Sequence, residues 1–270
     1  MIRPMDPERC HDPFSLEGRV ALVTGAAGHL GRALCQALAS AGARVFLAGR
    51  TAARLEAFAE ELRAAGHRAD ALPLDVTSTR SILGAVRTIE TEAGRLDVLV
   101  NNAHVPRSGA FLAARREDFV EATELSVAAA HDLVTAALPL LERAALDGSP
   151  SVVNVSSMYG VVSPDPRNYA SEAEQNPPFY GAAKAALLQY TRHAAVHLAA
   201  RGIRVNALSP GAFPAPGADP ALVARLSARI PLGRVGTPDE LATALLFLAS
   251  PRSTFVTGVN LPVDGGYTAH

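Results

Sequence analysis

Short apolar runs alternate with longer amphipathic segments along most of the chain. The runs are rich in β-branched and aliphatic residues and predict strands, namely VALV from Val20, VFLA from Val45, ADALPL from Ala69, LDVLV from Leu96, SVVNV from Ser151 and IRVNAL from Ile203. Between them lie segments of helical period such as AARLEAFAEELRAAG, which ends at a predicted C-cap glycine, Gly66. This alternation predicts a parallel sheet covered by helices on both faces.

Right-handed crossovers favour an α/β fold with a Rossmann-like, doubly wound parallel sheet for this order of elements. The alternative is a closed eight-stranded barrel of the same units, which the glycine turn described below disfavours. We expect residues 1–15 to form an N-terminal tail and residues 16–270 to form a single dinucleotide-binding and catalytic domain. Two irregular regions, 161–178 and 209–220, are expected beyond the carboxyl ends of strands, where open parallel sheets bind ligands.

Composition narrows the function classes. The chain is 49% hydrophobic and 19% charged with a net charge of -1, which is typical of a soluble protein and lacks the basic excess of a nucleic-acid binder. The start lacks an apolar segment and no run of 18 apolar residues occurs, so we expect no membrane partner. Cys10 and Cys35 form neither a metal-type spacing nor a disulfide framework, which is consistent with the cytoplasm.

A glycine-rich turn, TGAAGHLGRAL, follows the first predicted strand. Gly25, Gly28 and Gly31 allow a tight turn and the close approach of a phosphate to the backbone at a helix N-terminus. The alternative is that the turn only connects a strand to a helix. The position of the glycine-rich turn, between the first strand and the first helix, favours dinucleotide binding. The second strand ends in Gly49 and Arg50 without an acidic residue, which favours NADP(H) over NAD(H), unless Arg50 is simply a solvated loop charge.

One tyrosine has a cation one helical turn later. Lys184 is the only lysine among 25 basic residues, and it follows Tyr180 by four positions, so the two share a helix face. Neither Tyr159 nor Tyr169 has a basic residue at this spacing. An ammonium favours the phenolate, so this pairing is expected to lower the pKa of the phenol and make it an acid-base catalyst.

The ordered motifs of this chain resemble those of the short-chain dehydrogenase/reductases from about Leu16 to Tyr267. The motifs are TGAAGHLG, LDV, NNA, NVSSMYG, YGAAK, IRVNALSPG and FVTGVNLPVDGG. The resemblance implies an NAD(P)-dependent oxidoreductase that interconverts a carbonyl and a secondary alcohol without a metal. The resemblance implies that Tyr180 is the general acid or base, and that Lys184 lowers the pKa of Tyr180 and holds the nicotinamide ribose. It also implies that Ser157 binds the substrate oxygen, with Ser156 as the weaker candidate for this role.

The resemblance also implies a set of cofactor contacts along the chain. Asp75 and Val76 would contact adenine, Asn101 and Ala103 the adenosine ribose region, and Pro210 and Gly211 the nicotinamide side. The full set is Gly25, Gly28, His29, Leu30, Gly31, Arg50, Asp75, Val76, Asn101, Ala103, Tyr180, Lys184, Pro210 and Gly211. A homotetramer or homodimer is implied too, with helices around 120–143 and 179–200 packing between subunits.

Four features depart from the family pattern. His29 stands where the family places its middle glycine, and it either touches the pyrophosphate or faces solvent. His104 replaces the glycine of NNAG and adds bulk at the edge of the cofactor. Ser126 stands in place of an asparagine that anchors a water of the proton relay; it either keeps this catalytic role or bonds to its own helix. A polar segment is inserted between Ser157 and Tyr180, as a lid over the substrate or as a solvated decoration.

We therefore predict an NADP(H)-dependent oxidoreductase that acts on a small polar carbonyl or alcohol, such as a sugar, sugar acid or polyol. A 3-oxoacyl thioester reductase is one alternative. A non-catalytic NADPH-binding regulator on the same fold is the other.

Overall fold

The computed structural model describes residues 12–104 and 107–269, which form one seven-stranded sheet. The strand order is β3-β2-β1-β4-β5-β6-β7, and every neighbouring pair is parallel. The strands are β1 (Val20–Thr24), β2 (Arg44–Gly49), β3 (Arg68–Pro73), β4 (Val98–Asn101), β5 (Ser151–Val155), β6 (Arg204–Pro210) and β7 (Asn260–Val263). The sheet is open, with β3 and β7 at its edges, so the predicted Rossmann-like sheet is confirmed and the barrel is excluded.

The described residues contain eight α-helices, six of which cover the two faces of the sheet. The eight are α1 (His29–Ser40), α2 (Ala52–Ala64), α3 (Thr79–Ala93), α4 (Arg116–Thr123), α5 (Ala129–Ala145), α6 (Pro178–Leu198), α7 (Pro220–Ser227) and α8 (Leu241–Ala249). One apolar core lies between the sheet and α1, α2 and α8, and a second lies between the sheet and α3, α5 and α6. The central strands are buried on both faces, which explains why they are continuous apolar runs.

The strand predictions are correct within two residues, but a seventh strand was missed. β7 is short, partly exposed and contains Pro262, as an edge strand can, so its sequence lacks the β-branched run of a central strand. Gly66 has φ +87° just beyond α2, which confirms the predicted helix end.

α4 and α5 form a nearly continuous helix, because a π-helical segment at Glu124–Ala128 joins them. By length and composition alone the stretch Arg116–Ala145 is able to cross a membrane. However, Leu133, Ala137 and Leu141 on it are buried in the core against the sheet. The stretch is therefore used as a core helix of this domain.

The N-terminal end of the described chain packs on the domain. The Ser250 hydroxyl donates a hydrogen bond of 2.6 Å to the carbonyl of Pro13. Most of the predicted tail, residues 1–11 with Cys10, lies outside the described residues. Cys35 is a buried free thiol in α1.

Candidate active site

A cavity of about 880 Å³ opens at the carboxyl ends of the strands, beside the switch point between β1 and β4. Its walls contain nearly all of the residues predicted from the sequence to bind or react. These are Gly25, Gly28, His29, Leu30, Gly31, Arg50, Asp75, Val76, Ala103, Ser157, Tyr180, Lys184, Pro210 and Gly211. The chain therefore brings the nucleotide-type and reaction-type motifs to one site.

The glycine turn between β1 and α1 is too tight for side chains. Gly25 has φ +64°, in the left-handed region that favours glycine. A Cβ on Gly31 would lie 2.1 Å from the carbonyl oxygen of Gly25, so α1 packs directly on the turn. The backbone at the start of α1 is thus left uncovered on one wall of the cavity, as anion binding at a helix N-terminus requires.

A basic corner lies at the other end of the same wall. Arg50 follows β2, and Arg54 in the first turn of α2 donates a hydrogen bond of 3.3 Å to the carbonyl of Ala27 in the glycine turn. Hydrogen bonds from the backbone and hydroxyl of Thr77, and then the charge of Arg50, lower the pKa of Asp75. Arg54 and Thr77 were missed by the sequence reasoning, although Arg54 follows Arg50 by only four residues.

Tyr180, Ser157 and Lys184 meet at the opposite end of the cavity. Tyr180 and Lys184 lie in the first turns of α6, and the Lys184 ammonium is 5.7 Å from the centre of the phenol ring. Lys184 is 2% exposed, and its Nζ donates a hydrogen bond of 2.8 Å to the carbonyl of Val155 at the end of β5. Ser157 follows the same strand, and its hydroxyl lies near enough to the Tyr180 phenol to lower the pKa of the phenol. These three groups form one acid-base constellation.

The predicted lowering of the Tyr180 pKa is not found. Burial raises the pKa of Tyr180, and the hydrogen bond with Ser157 lowers it by a smaller amount. Burial also lowers the pKa of Lys184 to about 8, because the ammonium is removed from water. Desolvation is the largest cause of both shifts, and the sequence does not reveal it.

Close contacts between β5 and α6 fix the position of the two catalytic candidates on the helix. The Ser156 hydroxyl donates a hydrogen bond of 2.9 Å to the carbonyl of Lys184. A Cβ on Gly181 would lie 2.8 Å from the carbonyl oxygen of Tyr159, so α6 rests on the turn after β5. Ser156 thus supports the site through the backbone, and Ser157 is the serine that presents its hydroxyl to Tyr180.

Two predicted residues, Asn101 and Ser126, do not line the main cavity. The Asn101 amide points away from it, because successive strand residues face opposite sides, and Asn102 lines it instead. Asn101 Nδ2 donates to Asn154 Oδ1 (2.8 Å), and Asn154 Nδ2 donates to the Thr191 hydroxyl (2.9 Å). This buried chain of hydrogen bonds, which we call the amide chain, links β4, β5 and α6.

Ser126 is buried in the π segment, where the N–H of Ala129 donates to the carbonyl of Glu124. Glu124 and Leu125 line the main cavity, whereas Ser126 lines a separate cavity of about 10 Å³ together with Asn101. The structure therefore does not bring the Ser126 side chain to Tyr180. A π-helical segment has more residues per turn than an α-helix, so its side chains point in other directions than an α-helical repeat predicts. The sequence alone does not reveal this change.

The inserted segment lies against α7 rather than over the cavity. None of the residues 161–177 lines the main cavity. Asp165 pairs with Arg229 (2.5 Å) beyond the end of α7, and the carbonyl of Asn168 accepts a hydrogen bond of 2.7 Å from Arg225. The structure thus favours a structural role for this segment over the predicted lid.

The other two tyrosines of this region belong to an aromatic cluster. The Tyr159 and Tyr169 hydroxyls are 3.2 Å apart, and the Tyr159 ring packs edge-to-face on Tyr267 near the C-terminus. Burial raises the pKa of Tyr159 far above its ordinary value. Neither tyrosine lines the main cavity, so the choice of Tyr180 by its spacing to Lys184 agrees with the geometry.

The lining of the cavity fits a nicotinamide dinucleotide. Its uncovered glycine turn suits a pyrophosphate, its basic corner suits an adenosine ribose or a phosphate on it, and its acid-base end suits a nicotinamide and a substrate. An open parallel sheet with such a cavity defines a dinucleotide-dependent oxidoreductase.

Comparisons with known proteins identify the family. Residues 25–268 match the family model adh_short_C2, described as Enoyl-(Acyl carrier protein) reductase. The cis-4-hydroxycyclohexanecarboxylate dehydrogenase of Sinomonas cyclohexanicum is 40% identical over 260 residues, 93% of this chain and 97% of that protein. The rhamnolipids biosynthesis 3-oxoacyl-[acyl-carrier-protein] reductase of Pseudomonas aeruginosa is 35% identical over 263 residues, 95% of this chain and 99% of that protein.

Solved structures agree with these relatives. The Pseudomonas aeruginosa RhlG/NADP active-site complex superposes with a TM-score of 0.86 and 34% identity, covering 96% of this chain and 99% of that one. A gluconate 5-dehydrogenase from Burkholderia cenocepacia J2315, in complex with NADP and tartrate, gives a TM-score of 0.84 and 30% identity, with 96% and 98% covered. The chain belongs to the short-chain dehydrogenase/reductase family. It is an NAD(P)-dependent oxidoreductase that acts on CH–OH or C=O groups, and a non-catalytic regulator is no longer an alternative.

Proposed function

We propose that this protein is an NADP(H)-dependent oxidoreductase that interconverts a ketone and a secondary alcohol on a small polar substrate. The observation that carries the proposal is the constellation of Tyr180, Ser157 and Lys184 at one end of the cavity, with an uncovered glycine turn on its wall. The bound nicotinamide supplies a hydride to the carbonyl carbon or accepts one from the alcohol carbon.

The residues of this chain would handle the substrate oxygen. Ser157 donates a hydrogen bond to the oxygen, and Tyr180 gives it a proton in reduction and removes that proton in oxidation. Lys184, fixed by the carbonyl of Val155, holds a positive charge near the phenol and stabilises its phenolate whenever the proton has left. Two further N–H bonds of the ammonium remain for the nicotinamide ribose.

The test of this constellation is the Tyr180→Phe variant, assayed by NADPH oxidation with a panel of ketones. We expect a loss of kcat of about 10²- to 10⁴-fold, with the affinity for NADPH retained. Unchanged turnover would show that another group transfers the proton.

Preference for NADP(H) over NAD(H) is supported by the basic corner. Arg50 and Arg54 both line the cavity there, and the two structural neighbours described above contain NADP. Arg50→Ala is expected to weaken NADPH binding at least tenfold and to leave NADH binding within about twofold, since an Arg-phosphate pair is a strong charge-assisted bond. Arg87→Ala, at an exposed arginine on α3 that does not line the cavity, is the matched control. Equal affinities of Arg50→Ala and wild type for NADPH would contradict this assignment.

A small hydroxylated or carboxylated substrate is supported by two of the relatives. One is named for a hydroxycyclohexane carboxylate, and the other is a gluconate dehydrogenase with tartrate. The second candidate is a 3-oxoacyl thioester reductase, which the 35% identity to the Pseudomonas reductase favours. Turnover of a panel of keto-sugar acids and cyclic ketones, compared with acetoacetyl thioesters, separates the two.

We also propose that the protein is cytoplasmic, that residues 1–15 act as a tail on the catalytic domain, and that it assembles as a homotetramer or homodimer. The small, exposed residues Ala182, Ala185 and Ala186 on α6 suit close packing against another helix. Light scattering during gel filtration measures the assembly directly. A monomer at micromolar concentration would contradict it.

A further inference from the structure

His104 stands on the wall of the cavity beside the catalytic tyrosine. It lies just beyond β4, lines the cavity, and its ring packs edge-to-face on the Tyr180 ring with centroids 6.5 Å apart and planes at 76°. Its side chain is exposed within the cavity, so a ligand there reaches it.

The hydrogen bonding of the ring determines what His104 offers a ligand. Nδ1 lies 3.4 Å from the carbonyl oxygen of Asn102, and a carbonyl only accepts, so Nδ1 is the nitrogen that carries the hydrogen. In the neutral ring Nε2 is then an acceptor on the opposite edge. Among residues 12–104 and 107–269, no protein group hydrogen-bonds to Nε2.

The surroundings favour the neutral ring. Partial desolvation, and then the charge of Lys184, lower the pKa of His104, while the Asn102 carbonyl opposes them. A protonated ring would also place a second positive charge near the buried ammonium. At neutral pH His104 therefore presents an acceptor rather than a cation.

We propose that His104 is a specificity-determining residue whose Nε2 accepts a hydrogen bond from a substrate hydroxyl on the carbon next to the reacting carbonyl. The inference rests on the proposed function, because the carbonyl oxygen is held by Tyr180 and Ser157. The edge-to-face contact of the Tyr180 and His104 rings places the imidazole beside the group that holds the carbonyl oxygen, so the substrate donor that we assign to it is a hydroxyl on the adjacent carbon. The substrate class is α-hydroxy ketones in reduction and vicinal diols in oxidation.

The chemistry also disfavours substrates without the hydroxyl. A ketone that lacks it would cover Nε2 without replacing the hydrogen bond that water gives, which penalises binding. A protein whose position 104 is glycine lacks both this bond and this penalty. The distinguishing measurement is therefore the discrimination between two ketones that differ by one hydroxyl.

The experiment compares 2-hydroxycyclohexanone with cyclohexanone as substrates, with NADPH, in wild type, His104→Phe and His104→Gln. Phenylalanine keeps an aromatic ring but has no acceptor, whereas glutamine keeps an acceptor oxygen. We expect the wild type to favour the hydroxy ketone by about tenfold in kcat/KM, the size of one neutral hydrogen bond. His104→Phe should reduce this ratio to about one, mainly through KM, and His104→Gln should keep part of it.

Each outcome has a definite meaning. If His104→Phe keeps the wild-type ratio, the inference is overturned while the proposed function stands. If both ketones and the affinity for NADPH decline together in His104→Phe and His104→Gln, the residue serves the cofactor and the inference is also overturned. If the wild type reduces neither ketone, nor any other in the panel above, the proposed function is refuted together with the inference.

Discussion

Gly31→Ala is the substitution whose effect follows most directly from the geometry. Its Cβ would lie 2.1 Å from the Gly25 carbonyl oxygen and 3.0 Å from the Ala26 carbonyl oxygen, whereas unstrained contacts begin at about 3.4 Å. Either the turn or α1 must therefore move by about 1 Å. The turn has little room to do so, because a Cβ at Gly25 would already meet the Asn102 amide at 3.0 Å.

We expect this variant to lose about 3 kcal/mol of unfolding free energy, the upper range for overpacking, and to bind NADPH at least tenfold more weakly. Urea unfolding monitored by circular dichroism measures the first quantity, and titration of NADPH fluorescence measures the second. Two controls bracket the effect.

At Gly28 the added Cβ would be 3.2 Å from the same oxygen, so Gly28→Ala should cost less than half as much. At Gly84 in α3 nothing lies within 4 Å, so Gly84→Ala should stabilise by about 0.5–1 kcal/mol. The reasoning is refuted if Gly31→Ala is no less stable than Gly28→Ala, or if it binds NADPH as the wild type does.

Three further predictions concern buried polar groups around the site. The pKa of Lys184 is lowered to about 8 in the folded protein from its ordinary value of 10.5. Between pH 8 and 10.5 the unfolded chain therefore binds more protons than the folded chain. The contribution of Lys184 to the unfolding free energy consequently rises with pH over this range. The unfolding free energy of wild type minus that of Lys184→Met should therefore increase by about 3 kcal/mol from pH 8 to 10.5, and a flat difference would contradict this. Thr191→Val leaves the Asn154 amide unpaired and should lower the unfolding free energy by about 1–3 kcal/mol in urea, a loss that Thr191→Ser should largely avoid. Ser156→Ala should cost about 1 kcal/mol of stability and lower kcat less than Ser157→Ala does, because the Ser156 hydroxyl is bonded to the backbone whereas the Ser157 hydroxyl acts on the phenol.

The sequence was sufficient to predict the sheet, the glycine turn and the pairing of Tyr180 with Lys184. These features depend on local periodicity and spacing, which can be read from the sequence without knowledge of the tertiary packing. The central strands and α6 are examples, since burial on both strand faces and a four-residue separation on a helix are direct consequences of chain geometry.

The sequence was insufficient where a residue's role depends on the direction of its side chain or on its burial in the fold. Asn101 and Asn102 look equivalent in the sequence, but only the fold decides which of the two alternating faces meets the cavity. The sequence also did not reveal the π segment, which places the Ser126 side chain beside a separate small cavity. The raised pKa of Tyr180 depends on desolvation by residues distant in sequence, and the polar composition of 161–178 gave no indication that Asp165 would pair with Arg229.

The amide chain has a consequence for how accurately the catalytic helix is placed. Apolar contacts between an alanine- and leucine-rich helix and a sheet tolerate a small slide, because one aliphatic group replaces another at little cost. A directional bond from Asn154 to Thr191 does not, since the buried positions one turn before and after Thr191 on α6 are leucine and alanine, which have no hydroxyl to receive it. The sheet thereby fixes one position of α6 along its axis. The phenol of Tyr180 and the ammonium of Lys184 therefore occupy the same positions in every folded molecule.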